Sequence, residues 1–275
     1  METWRLLRGC GRPAENMALD AAIAWGVGEG YAPPTLRLYR WEPAAVSLGY
    51  AQHHAAPVDL AACARAGLAV VRRPTGGRAV LHAGDVTYAV AVPRRGAWAD
   101  RSVAASCRVF HEAVAAGLRR LGVPVQISGP QPSRGGRGGA LCFATVSTHE
   151  ITVEGRKLVG SAQRRFRRAI LQHGSIPLTL DRNRLAALVP QGSGTDAVAL
   201  AAAMTSVAEV LGGAADREAV EAALVAGFAA TLGVRFAPLG LAPEEASLAR
   251  RLEMALAPGP GDPEGTAETL AFSIP

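Results

Sequence analysis

Residues 72–82 read Arg72-Arg73-Pro74-Thr75-Gly76-Gly77-Arg78-Ala79-Val80-Leu81-His82. Just upstream, Leu68, Val70 and Val71 predict an apolar strand. Downstream of Gly84, Val86, Tyr88, Val90 and Val92 alternate with Thr87, Ala89 and Ala91, the period-2 pattern of a strand with two distinct faces. Between them, two adjacent glycines permit a sharp change of direction and let a ligand lie against bare backbone N–H groups. Arginines on either side add fixed positive charge, which suits a carboxylate, a thioester carbonyl or a phosphate. A plainer reading competes on equal terms, because Gly-Gly is also an ordinary hairpin signal and the arginines would then be surface charges.

Working outward, Glu15–Trp25 carries the spacing of a helix, and Pro33-Pro34 forces extended chain before predicted strands at Thr35–Trp41 and Ala45–Gly49. Val58 or Asp59 opens a short helix to Gly67. Asp100 or Ser102 caps a longer one to Leu121, with Val103, Val109, Phe110, Val114, Leu118 and Leu121 as its stripe and Cys107 as packing. After a short strand at Val125–Ser128, residues 129–140 are crowded with glycine, proline and arginine. Arg134–Gly139 holds two Arg-Gly-Gly copies without an aromatic, which reads as a loop rather than an RNA-binding tract. The chain then predicts a hairpin of His149–Val153 and Arg156–Ala162 around Glu154-Gly155, and a third strand within Ala169–Leu180. Arg164–Arg168, four arginines around Phe166, reads as a solvated tip or as a dock for an acidic surface. Beyond Asp181 helices are expected at Arg182–Leu188, Asp196–Leu211, Asp216–Leu232 and Pro243–Leu256, with a short strand at Val234–Leu239. Residues 257–275, rich in Pro, Gly and Glu, read as a disordered tail. Hairpins early and helices late predict an α+β fold: a mixed, largely antiparallel sheet flanked by helices, in one domain over residues 1–256 whose part from about 181 is helical.

The 275 residues, 49% of them hydrophobic, are enough for a real core, and the net charge of +6 favours an acidic partner. The first residues lack a signal peptide's apolar run, and Val198–Leu211 is too short to span a bilayer, so a cytoplasmic protein without a membrane partner is expected. Cys10, Cys63, Cys107 and Cys142 show no Cys-x-x-Cys spacing, and the six histidines form no tight group, so neither a disulfide framework nor a metal site is expected. His53-His54 reads as surface, and His173, inside a strand, as a structural hydrogen-bonding residue. No nucleophile-elbow Gly-x-Ser-x-Gly supports a serine triad.

Taken together, three segments resemble the biotin/lipoate A/B protein ligase family. Arg72–His82 is similar to its acyl-binding loop. Gly155-Arg156-Lys157-Leu158-Val159-Gly160-Ser161-Ala162-Gln163, with Leu171–Ile176, is similar to its lysine strand and the strand paired to it. Glu15–Asp20 resembles its first helix. Leu141-Cys142-Phe143 ahead of Ser147 and Glu150 resembles the octanoyltransferase branch, although that branch commonly has Pro-Ser where Val146-Ser147 stands and an aromatic at His149.

The resemblance implies transfer of an octanoyl group from octanoyl-acyl carrier protein to a lysine of a lipoyl domain (glycine cleavage H protein or 2-oxoacid dehydrogenase E2), in lipoate biosynthesis, with no cofactor. Catalysis then falls to Cys142 and Lys157, and substrate binding to Arg73, Thr75, Gly76, Gly77, Arg78, His82, Gly160 and Ser161. The chemistry is coherent, since a thioester has enough transfer potential to form an amide without ATP. A thiol of ordinary pKa, about 8.5, gains thiolate beside an ammonium. Backbone donors of the glycine loop suit a tetrahedral oxyanion. The alternatives are an ATP-dependent lipoate ligase, an amidotransferase between lipoyl domains, and a non-enzymatic acyl- or nucleic-acid-binding protein working through Arg164–Arg168.

Overall fold

The computed structural model of the protein describes residues 1–52, 58–129, 150–193 and 196–256. Thr3–Gly11 forms a first strand (β1). Helix α1 (Pro13–Glu29) follows, starting on Pro13, with the Glu15 carboxylate accepting from the Arg12 N–H at 3.2 Å, and ending at Gly30 with φ +89°. Because α1 crosses over, β2 (Thr35–Trp41) returns parallel to β1. The short β3 (Ala45–Leu48) and α2 (Leu60–Arg65, capped by Asp59) lead to β4 (Ala69–Arg72), β5 (Val80–His82) and the long β6 (Asp85–Pro93). Helix α3 (Val103–Arg120) is capped by the Ser102 hydroxyl, which accepts from Ala105 N at 3.1 Å. Then come β7 (Gln126–Ile127), β8 (Ile151–Val153), β9 (Arg156–Arg165) and β10 (Ala169–Pro177). The C-terminal part holds α4 (Arg182–Ala187), α5 (Ala197–Ala202), α6 (Val207–Leu211), α7 (Arg217–Leu232), β11 (Arg235–Ala237) and α8 (Pro243–Leu256). Among the described residues, no helix is long and apolar enough to cross a membrane.

Eight strands form one sheet in the order β11-β1-β2-β6-β10-β9-β8-β7, parallel across its first three members and antiparallel from β2 to β7. This is the mixed, largely antiparallel sheet the sequence predicts. Both of its faces are covered, which is why β6 and β10 are buried almost end to end. One face, with Val86, Tyr88, Val90 and Val92, packs against Phe110, Val114 and Leu118 of α3 and Leu224 and Phe228 of α7. The other, with Ala89, Ala91 and Leu171, packs against Met17, Ala21 and Ile23 of α1 and Leu248 and Leu252 of α8. Of the predicted α3 stripe, Phe110, Val114, Leu118 and Leu121 pack into the core on the first face, whereas Val109 is only half-buried and Val103 lies 52% exposed.

Three expectations need correction. The first strand, β1, has no counterpart among the expected elements, because arginines interrupt its apolar pattern. The single helix expected at 196–211 is split, because residues 203–205 pair with the lysine strand instead: Lys157 N–H donates to Ala203 O at 2.8 Å and Thr205 N–H to Lys157 O at 3.0 Å. The third is the Gly-Gly stretch, which is no hairpin. β4 and β5 do not pair with one another; both flank β3, β4 in parallel and β5 antiparallel, as a second small sheet. Residues 73–79 therefore cross over the end of β3. The crossing is close: a Cβ on Gly49 would lie 1.9 Å from the Gly77 carbonyl oxygen, so only glycine fits there.

Candidate active site

A narrow cavity of about 350 Å³, counting its mouth, opens where the small sheet meets the α1 face of the large one. β2 supplies Tyr39 and Trp41, and β5 supplies Val80 and His82. Gly160 and Ala162 of β9 face His173 and Ser175 of β10 across the floor. The wall is mostly apolar, and the absence of bulk at Gly160 and Ala162 keeps it open. A β-bulge brings the predicted lysine to this side. Thr152 pairs with Lys157 while Ile151 pairs with Val159, so Leu158 is an extra residue and Lys157 returns to the face of Gly160 and Ala162. Lys157 is only 1% exposed, and its ammonium is bonded to the buried Glu150 carboxylate. The turn before it, Glu154-Gly155, has both residues at positive φ, 49° and 76°, the geometry of a two-residue hairpin and the one the sequence predicts.

Beneath the glycine loop run two chains of hydroxyl, imidazole and carboxylate. In one, Thr75 Oγ1 lies 2.5 Å from His173 Nε2, and His173 Nδ1 lies 2.9 Å from Asp20 Oδ2. Asp20 also accepts from Arg37 at 2.7 Å and from the Tyr39 hydroxyl at 2.8 Å. Burial alone would push the Asp20 carboxyl up, but the His173 hydrogen bond, Arg37 and Tyr39 outweigh it and hold it below the usual range. Burial pushes His173 down against the pull of Asp20, and nearby Arg73 and His82 push the same way. Since Arg37 already balances Asp20, the pair is an ionised carboxylate and a neutral imidazole. Nδ1–H then donates to Asp20, and Nε2 accepts the Thr75 hydroxyl proton.

In the second chain Ser47 Oγ lies 2.9 Å from His82 Nε2, and His82 Nδ1 lies 2.9 Å from Asp85 Oδ2, which also accepts from Ser175 and Thr87. Asp85 is likewise held low: burial raises it, but His82, Ser175 and Thr87 prevail. The His82 ring stacks on Trp41 at 4.0 Å.

The structure places the expected binding residues in three ways. Arg73, His82, Gly160 and Ser161 line this cavity, with the Ser161 hydroxyl turned to Tyr88 at 2.8 Å, whereas Lys157 is on the same sheet face but not among the lining residues. Thr75 is fully buried and meets the wall through His173. Gly76, Gly77 and Arg78 form the outer turn and are absent from the lining. Arg73 also does something the sequence did not suggest: its guanidinium donates to the carbonyls of Gly76, Arg78 and Ser47, tying the loop to β3. Cys142, His149, His53, His54 and the Arg134–Gly139 loop lie outside the described residues, as does the expected tail. The other cysteines make poor nucleophiles or sit elsewhere. Burial pushes the Cys107 thiol up to about 11 and raises Cys63, while Cys10 is exposed on β1 with its thiol on Glu42.

Asn16, Asp20, Arg37, Tyr39 and Asp85 were missed as parts of the site. A signal existed in part: Asn16 and Asp20 stand four apart on α1, and both bind the Arg37 guanidinium.

The sequence pattern of the lipoyl protein ligase A/B catalytic domain family matches residues 12–229. The chain is 43% identical over 261 residues to octanoyltransferase LipM of Kyrpidia tusciae, covering 92% of this chain and 95% of that one. It is 40% identical over 190 residues to octanoyltransferase LipM of Bacillus subtilis, covering 67% and 68%. Among solved structures it is similar to lipoate-protein ligase A bound with ATP, with a TM-score of 0.79 and 26% identity over 96% of this chain and 99% of that one. It is also similar to the T. acidophilum protein Ta0514 with bound lipoic acid, with a TM-score of 0.76 and 27% identity over 92% and 94%.

Proposed function

Because the chain belongs to the lipoyl protein ligase A/B catalytic domain family, we propose that it is an octanoyltransferase of lipoate biosynthesis. It moves an octanoyl group from octanoyl-acyl carrier protein to a lysine of a lipoyl domain through Cys142. The observation that supports this most is the buried Lys157, turned by a bulge to the sheet face on which Gly160 and Ala162 line a narrow apolar cavity, in a chain similar to proteins named octanoyltransferase LipM. The cavity takes the hydrocarbon chain, with Trp41, His82 and Val80 as wall and Gly160 and Ala162 as floor. Thr75, Gly76, Gly77 and Arg78 cover the thioester end, and Arg73 holds their loop in shape.

In the first half-reaction the Cys142 thiolate attacks the thioester carbonyl. A carbon–sulfur bond forms to the enzyme, the donor's carbon–sulfur bond breaks, and the departing thiolate takes a proton from Lys157. In the second, the acceptor amine attacks the acyl-enzyme, the carbon–nitrogen bond forms, Cys142 leaves as thiolate, and the amine's proton returns to Lys157. Glu150 keeps Lys157 in place between the two transfers. No nucleotide is consumed.

The likeness to an ATP-bound ligase favours one second reading, an ATP-dependent lipoate ligase in which Cys142 is incidental. Octanoylation of an apo lipoyl domain separates them. With octanoyl-acyl carrier protein and no ATP, the transferase reading predicts turnover, which Lys157→Ala lowers by about 10²- to 10⁴-fold. Turnover only with free octanoate plus ATP would establish the ligase instead. Turnover only from an octanoylated lipoyl domain would establish an amidotransferase.

A further inference from the structure

The segments 94–101 and 164–168 bring seven arginines to one end of the large sheet, beside the acids Asp100 and Glu29. They are held as a group by backbone and side-chain bonds. Arg94 N–H donates to Arg168 O at 2.8 Å, and its guanidinium to Phe166 O at 3.0 Å. Arg165 donates to the Arg101 carbonyl, and Arg168 is paired with Glu29. Arg94, Arg95, Arg167 and Arg168 are exposed. Among the described residues, Arg94, Arg95 and Arg167 have no carboxylate within salt-bridge distance. Such a concentration of like charge costs self-repulsion and gains from an oppositely charged surface, which it also steers into contact.

Position selects the partner. Arg164 donates to Pro74 O at 2.9 Å and lies over the Tyr50 ring at 4.3 Å, so the patch borders the glycine loop at the cavity mouth. Arg165 stands eight residues along β9 from Lys157, one of them the bulged Leu158, so about seven strand steps and ~23 Å at ~3.3 Å per residue. A lysine side chain, with its four-carbon stem, cannot bridge that gap from a domain docked on the patch. An acyl group on a long flexible arm can. We propose that the Arg94–Arg95–Arg167–Arg168 surface is the docking site for the acidic face of the acyl-donating carrier protein, distinct from the place where the acceptor lysine enters. The assignment rests on the transferase reading above.

The test is the double variant Arg95→Glu/Arg167→Glu, both exposed and outside the cavity, assayed at about 50 mM and 300 mM salt. Two donors are compared, octanoyl-acyl carrier protein and a small octanoyl thioester, with direct binding of the carrier measured alongside. The expected result is a fall of about ten-fold or more in kcat/KM for the carrier donor at low salt, carried by KM, with the small thioester changed by less than about two-fold. The difference narrows at high salt as the charges are screened. Equal loss with both donors, or none with the carrier, would overturn the docking site. If the wild type uses neither donor, the transferase reading fails, and carrier binding then judges the surface alone: salt-sensitive binding lost in the variant upholds it. Binding of duplex DNA or RNA in place of the carrier, lost in the same variant, would overturn it.

Discussion

Thr75 reaches the core of the protein through one neutral imidazole, and that makes His173 a pH sensor for the loop it supports. Its folded pKa lies below the unfolded value of about 6.5. Between the two, the unfolded chain binds a proton that the folded chain does not, so this part of the stability is present above pH ~6.5 and is lost as pH falls toward the folded pKa. Asp20, also held low, adds a further loss below pH ~4. Urea midpoints should therefore be level from pH 7 to 8 and decline from 6.5 to 5, and His173→Gln should flatten that decline. An unchanged slope in the variant would mean that His173 is protonated in the fold. At this scale little was legible in advance. His173 reads correctly as a structural hydrogen-bonding residue, but Asp20 and Thr75 stand 153 and 98 residues away from it in sequence, and no local pattern announces such a partner.

Elements meet here through glycines that leave no room for a side chain. Helices α3 and α7 cross where a Cβ on Gly227 would lie 2.4 Å from both Ala113 O and Gly117 N. Gly227→Ala forces the helices apart and should cost about 1–3 kcal/mol of stability by overpacking, with little change in the cavity on the far face of the sheet. Gly49→Ala acts the other way: it displaces Gly77 and hence the loop over β3. We expect it to raise KM for the acyl donor strongly while moving the denaturation midpoint less than Gly227→Ala does. Chemical denaturation and steady-state kinetics on the two variants check the crossed pattern, and equal effects on both readouts would refute it. Element ends set by local chemistry were legible: β2 after Pro33-Pro34, α8 from Pro243, and the Glu154-Gly155 turn, while the caps were narrowed to two residues each, of which the structure uses Asp59 rather than Val58 and Ser102 rather than Asp100. The small sheet was not, because inserting β3 between β4 and β5 is a long-range choice that Gly-Gly chemistry leaves open.

Across the whole molecule, the first and last described elements are joined by a buried ion pair. Arg5 on β1 binds Glu245 on α8 through two bonds of 2.6 and 2.7 Å, and also reaches Thr35 at 2.9 Å. Glu245 fits only because Gly26 of α1 has no side chain, since a Cβ there would lie 2.4 Å from Glu245 Cγ. Glu245→Gln leaves the Arg5 charge buried without its partner and should cost about 3–5 kcal/mol, read as a lowered denaturation midpoint. A loss under about 1 kcal/mol would show that the pair is dispensable. The same pair explains why β1 was illegible: an arginine in a buried strand makes sense only once a glutamate 240 residues later is known to meet it. The mixed sheet, by contrast, followed from the order of hairpins and helices, and of the two motifs it is Arg73 at the start of the glycine loop and Gly160–Ala162 of the lysine strand that line one cavity, while Gly76 and Gly77 stay outside it.

The central claim is a covalent acyl-enzyme on Cys142, and its most direct test is an intact mass after incubation with octanoyl-acyl carrier protein in the absence of ATP. The account predicts one octanoyl adduct on the wild-type protein, none on Cys142→Ala, and loss of the wild-type adduct when an apo lipoyl domain is added. An unmodified wild-type mass, or an adduct that survives in Cys142→Ala, would contradict it.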